Sequence, residues 1–129
     1  MSKRVGVVCG SFHRDEVERM LSWVHEEAAD LELTIGEILW VPGSMEVPLS
    51  LDRLLKTHDA AICLGIIEKG ETQHALAMGQ AVIKTILELQ LKYDKAIGLG
   101  IIGPGAAPHH IEPRLEPHAR AAIRAVVEQ

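Results

Sequence analysis

Aromatic side chains are almost missing from this chain. One phenylalanine, one tyrosine and two tryptophans stand among 129 residues. The core must therefore be filled by aliphatic side chains, and an aromatic in a polar loop asks for a reason. Blocks of basic residues are absent and the formal net charge is −5, so no nucleic-acid or anionic-lipid partner is expected. No apolar run approaches the ~20 residues of a membrane span, and no signal peptide is recognised. A cytoplasmic protein with no membrane partner is the expectation. Cysteine is scarce too. Cys9 and Cys63 are far apart, match no metal spacing and lie in predicted strands. They read as buried free thiols in a reducing compartment. Internal repeats, linkers and low-complexity segments are also lacking. One domain over residues 1–129 is expected, burying roughly 68% of its unfolded surface.

What is present alternates between two periods. Lys3 to Cys9 is valine-rich and reads as a buried strand. Arg14 to Asp30 carries Val17, Met20, Leu21 and Val24 at helical spacing. Leu33 to Trp40 alternates imperfectly, as an edge strand or one facing a subunit contact would. Met45 to Lys56 is helical by period, with Pro48 in its first turn and Leu49, Leu51, Leu54 and Leu55 expected on the buried face. Asp59 to Ile67 is apolar throughout, as a central parallel strand would be. Thr72 to Tyr93 is the longest helical pattern, and Lys95 to Ile102 is a fourth apolar strand. Gly103 to Ala106 reads as a loop. The last helix starts at His109 or His110 and runs to Glu128. Pro113 and Pro117 predict a kink, or a short helix followed by a longer one. The pattern βαβαβαβα predicts an α/β fold. Its form is a doubly wound, flavodoxin-like three-layer αβα sandwich around four parallel strands ordered 2-1-3-4.

Ligands of such a sheet bind beyond the carboxyl ends of the strands. The unusual residues of this chain fall there. Phe12, the sole phenylalanine, follows the first strand in a polar loop. It is placed either to stack on a ligand or to fold back onto the next helix. Gly43 to Glu46 follow the second strand, and Glu46 reads as a surface charge or an acceptor for ligand hydroxyls. Gly70, Thr72 and His74 follow the third. Backbone N–H groups at a helix start attract anions. Thr72 suits an N-cap or a hydroxyl donor to phosphate, and His74 moves protons near neutral pH. An enzyme acting on a phosphorylated substrate is the reading of this rim.

Val41-Pro42-Gly43-Ser44-Met45-Glu46-Val47-Pro48 resembles the VPGAFEIP stretch of the lumazine synthase family, and Gly70-Glu71-Thr72-Gln73-His74 resembles its GETPH stretch. Gly10 to His13 sits where that family has an RFN loop. Leu91 to Lys95 with Gly103 to Gly105 resembles its archaeal branch. The match runs along the chain in order. It implies 6,7-dimethyl-8-ribityllumazine synthase activity, the penultimate step of riboflavin biosynthesis. The reaction condenses 5-amino-6-(D-ribitylamino)uracil with 3,4-dihydroxy-2-butanone 4-phosphate and releases phosphate and water, without metal or organic cofactor. By matching position, Phe12 would stack on the pyrimidine, with Leu99 near the ring. Ser44, Met45 and Glu46 would line the ribityl chain. The backbone of Ile66, Ile67 and Glu68 would pair with the pyrimidine edge. Glu71, Thr72 and Arg114 would hold phosphate, and His74 would transfer protons. The resemblance further implies a homo-oligomer, a pentamer or a 60-subunit shell, with sites shared between neighbours.

The sequence departs from the family at His13, Met45, Glu68 and the residues after His74. Two other readings therefore stand beside the first. One is an archaeal-type riboflavin synthase, which needs no phosphate site. The other is a non-catalytic flavin- or lumazine-binding protein. His109, His110 and His118, with His13, His25 and His58, form no metal-ligand pattern, so no metal is expected.

Overall fold

A computed structural model describes residues 2–70 and 72–129. Strands and helices alternate as β1 (Arg4–Gly10), α1 (Arg14–Asp30), β2 (Thr34–Val41), α2 (Val47–Leu55), β3 (Ala60–Glu68), α3 (His74–Tyr93), β4 (Ile97–Ala106), α4 (Pro108–Ile111) and α5 (Leu115–Glu128). Single 3₁₀ turns lead into α2 (Ser44–Glu46) and join α4 to α5 (Glu112–Arg114). The four strands are parallel and ordered β2-β1-β3-β4, as expected.

Successive residues of a strand point to opposite faces, and here both faces are covered. Val5, Val7 and Cys9 of β1 pack with Ala60, Ile62 and Leu64 of β3 beneath α1 and α5. Val8 packs with Ala61, Cys63 and Ile67 beneath α2 and α3. That explains why β1 and β3 read as continuous apolar runs. Each fully buried Val, Leu or Ile contributes about 1.5–3 kcal/mol. The helices lie close because small residues let them. A Cβ on Gly98 of β4 would strike the Ala122 carbonyl of α5. Across α1 and α5, Glu27 accepts from Arg124 Nε at 2.9 Å and Arg120 Nη1 at 2.8 Å. These two guanidiniums hold its carboxyl below the usual range.

Three expectations are corrected. First, Gly103 to Ala106 belongs to β4 rather than to a loop. Gly103 and Gly105 take φ of +96° and +91°, and Gly103–Pro104 is cis. The register shifts between Ile66 and Glu68, and Glu68 pairs with Ala106. Glycine punctuation here makes a bulge within pairing instead of ending it. Second, Leu49 is 56% exposed; Val47, Leu51, Leu54 and Leu55 form the buried face of α2. Third, the N-cap position of α3 falls on Gln73, not Thr72. The proline-interrupted last segment divides as predicted, into a short helix and a longer one.

β2 is an edge strand, and its half-buried residues explain the imperfect alternation. Its pairing with β1 slips between Val5 and Val7. The Glu37 N–H, in this irregular stretch, donates to His58 Nε2 at 3.0 Å. Accepting there places the ring proton on Nδ1, which donates to the Leu54 carbonyl at 3.0 Å. His58 is thus a buried structural group.

Candidate active site

The carboxyl ends of the strands carry four short segments, and three of them close around one cavity of about 350 Å³. Phe12 and His13 come from the turn after β1, Ser44 to Glu46 from the 3₁₀ turn after β2, and Ile66 to Gly70 from the end of β3. Ile101 of β4 and Ala75 and Met78 of α3 complete the wall. The lining is mostly apolar with a few polar groups, the usual make-up of a small-molecule site.

Phe12 is 72% exposed. The choice between platform and core residue falls to the exposed position, because the ring does not fold back onto α1. Its one aromatic neighbour is His13, edge-to-face at 5.0 Å. Ile66 and Ile67 keep their side chains buried, at 7% and 3% exposure, while lining the cavity. The backbone of β3 is what they offer a ligand. Glu68 departs from that pattern. Its Oε1 lies 2.9 Å from His13 Nε2, which is buried and meets no hydrogen-bond geometry among the described residues. The contact is one of proximity rather than an aligned hydrogen bond.

A second hollow of about 430 Å³ adjoins the first and shares Glu68, Lys69, Gly70 and Ala75 with it. Thr72, Gln73 and Gly105 line its far side. The Thr72 hydroxyl accepts the His74 N–H at 3.3 Å, which leaves its own proton free to donate. Lys69 adds a cation between the two hollows, and its N–H is bonded to the Ala106 carbonyl at 2.9 Å. Glu71 lies outside the described residues.

Not every predicted residue joins this group. His74 opens α3 beside Thr72, exposed, and lines neither hollow. Leu99, 39% exposed on edge strand β4, lines neither. Arg114 is exposed in the 3₁₀ turn before α5, where its Nη1 donates to the His110 carbonyl at 3.0 Å. It too lines neither hollow. His110 is held locally as well. Its Nδ1 accepts the Ala107 N–H at 3.0 Å. Desolvation pushes its pKa down, helped by the charges of His109 and Arg114.

Two lining residues with ionisable side chains escaped the sequence reading as site residues. Lys69 stood inside the recognised stretch, and its signal was a lone cation beside Gly70. His13 stood out only as a departure from the family pattern. The thiols play no part at the surface. Burial pushes Cys9 and Cys63 up to about 12, so neither is a nucleophile at neutral pH.

A family model described as 6,7-dimethyl-8-ribityllumazine synthase matches residues 2–129. Curated relatives carry the same name. The protein from Staphylothermus marinus is 35% identical over 97% of this chain and 85% of its own length. That from Methanopyrus kandleri is 36% identical over 97% of this chain and 89% of its own. That from Metallosphaera sedula is 32% identical over 98% of this chain and 85% of its own.

Proposed function

We infer the chemistry of this site from one premise: the chain belongs to the 6,7-dimethyl-8-ribityllumazine synthase family. It is a transferase of riboflavin biosynthesis. It condenses 5-amino-6-(D-ribitylamino)uracil with 3,4-dihydroxy-2-butanone 4-phosphate and releases phosphate and water. The observation that carries the assignment of sites is the pair of adjoining hollows. The first is apolar and headed by an exposed ring; the second is lined by a hydroxyl, a glycine turn and a cation.

In this reading the pyrimidine lies against Phe12, with its edge on the backbone of Ile66, Ile67 and Glu68. The ribityl chain runs along Ser44 and Met45, and Glu46 accepts from its hydroxyls. Phosphate occupies the second hollow, held by the Thr72 hydroxyl, the α3 N-terminus and, as the resemblance implies, the Glu71 backbone. Lys69 supplies the cation from the same chain. Two substrates fixed side by side replace a bimolecular encounter by a local one. Imine formation, phosphate loss and ring closure each move a proton, and His74 stands beside the phosphate turn in the titration range that suits them.

Leu99 and Arg114 complete the site from a neighbouring chain. Their distance from the cavity within one chain supports this placement, and so does an unpartnered apolar face. Leu76, Ile83, Leu87 and Leu91 fall on one stripe of α3, and Leu87 and Leu91 are 54% and 84% exposed. We take the assembly to be at least a pentamer, with every site shared by two chains. The two free buried thiols support a reducing, cytoplasmic setting, and no helix among the described residues is long and apolar enough to cross a membrane.

The test is a two-substrate assay that follows phosphate release and lumazine absorbance together. Both signals are expected to rise in step. Lumazine consumption without phosphate release would instead mark a riboflavin synthase, and binding without turnover a carrier.

A further inference from the structure

We propose that Glu68 and His13 form a positioning pair that presets the angle of the Phe12 ring, and that this pair, rather than Phe12 alone, determines how tightly the pyrimidine ring is held. The proposal rests on the ring site assigned above.

Two contacts run in series across the mouth of the cavity. Glu68 Oε1, at the end of β3, lies 2.9 Å from His13 Nε2. The His13 ring meets the Phe12 ring edge-on, with centroids 5.0 Å apart and planes at 84°. Phe12 is otherwise 72% exposed. An exposed phenylalanine samples several rotamers, and ordering it costs binding energy each time a ligand arrives. A neighbour that already holds the ring removes part of that cost. Edge-to-face contact with an imidazole does so, because the positive ring edge of one partner meets the negative face of the other.

His13 is itself held from β3. Its Nε2 is buried and short of a hydrogen-bond partner among the described residues. What ties the ring to β3 is therefore the close approach of Glu68 Oε1 to Nε2 at 2.9 Å, not an aligned hydrogen bond. Among the described residues the other carboxylate in contact with the ring is that of Glu16 on α1, 3.9 Å from Nδ1. Glu68 therefore links the turn after β1 to the end of β3, next to the backbone that meets the pyrimidine edge. Both members are unusual for the resemblance described above, and they are far apart in sequence. Their meeting in space gives the two departures one physical account. The Glu68 carboxylate acts through His13 and not on the ligand.

Phe12 is the sole phenylalanine, so uniform labelling with para-fluorophenylalanine gives one fluorine resonance from the assembled, unliganded protein. Glu68→Leu and His13→Asn are each expected to narrow that resonance and move it towards the position of the unfolded chain, while Glu68→Gln keeps most of the wild-type shift. Affinity for an unreactive ribityl-pyrimidine analogue should fall about three- to tenfold in either variant. The double variant should be no worse than the weaker single. In a Phe12→Ala background, Glu68→Leu should cost nothing further. An equal loss in that background would show that Glu68 meets the ligand directly and would overturn the proposal. An unmoved fluorine resonance in both variants would overturn it too. A wild-type protein that fails to bind the analogue would sink the ring-site assignment, while the fluorine result would still judge the positioning pair.

Discussion

Single residues decide how the two hollows are used. His74→Ala should lower turnover within ~10²–10⁴, the range for losing a general acid–base group, with little change in analogue binding, because His74 lines neither hollow. Turnover unchanged between about pH 6 and 8 would remove it from the mechanism. Lys69→Met should weaken inorganic phosphate by about one decade, as loss of a charge-assisted contact of roughly 1.5–3 kcal/mol in a partly exposed place would. The pyrimidine analogue should be spared; equal weakening of both would make Lys69 a support for the turn. At this scale the sequence was only partly legible. Phe12 was visible because an aromatic in a polar loop is rare. Lys69 was not, since most lone lysines are solvated. The His13–Glu68 contact needs β1 and β3 to be adjacent, which no local pattern states.

Elements were easier to foresee where one period ran unbroken. β1, β3 and α1 follow from their apolar patterns alone. The end of β4 did not, because Gly103 to Gly105 carries the residues of a loop while staying paired to β3. Tertiary pairing overrode local punctuation. The short α4 before the longer α5 is one of the two outcomes that Pro113 and Pro117 allowed. Its start is closed by His110 Nδ1 accepting the Ala107 N–H, and the Arg114 side chain is tied to the His110 carbonyl. Desolvation lowers the His110 pKa below its usual 6.5. The unfolded chain then binds the proton more readily, so stability rises with pH across that interval. The cap is fully kept above the unfolded value and is lost as pH falls through the folded one. Protonation also fills the lone pair that accepts from Ala107. Hydrogen-exchange protection in residues 107–114, taken relative to the intrinsic rate at each pH, should therefore fall as pH drops below 6.5, and His110→Ala should abolish that loss. Protection that stays flat down to about pH 5 in the unsubstituted protein would mean the cap does not hold this segment.

Strand order for the whole molecule followed from topology rules, because buried parallel strands and right-handed crossovers leave few arrangements. The completeness of the site could not follow in the same way, since it concerns surfaces that one chain leaves uncovered. Phe12, Glu46 and Lys69 meet around the hollows, while Leu99 and Arg114 stand outside them. A cyclic assembly that repeats one contact would bring the second group to the first on a neighbour. Arg114→Ala should then weaken the phosphate substrate by about one to two decades and leave the pyrimidine nearly untouched. Subunit mixing tests the sharing itself. His74→Ala and Arg114→Ala chains are combined under conditions that allow exchange and assayed below saturation with the phosphate substrate, where both variants are weakest. Random mixing in equal amounts makes roughly a quarter of the shared sites intact, so activity should return to about that share of the unsubstituted protein. If mass spectrometry shows mixed assemblies and activity stays at the average of the two variants, each site lies within one chain. Arg114 would then act on its own chain's hollow through a rearrangement of the α4 segment, and the exposed stripe on α3 would need another partner.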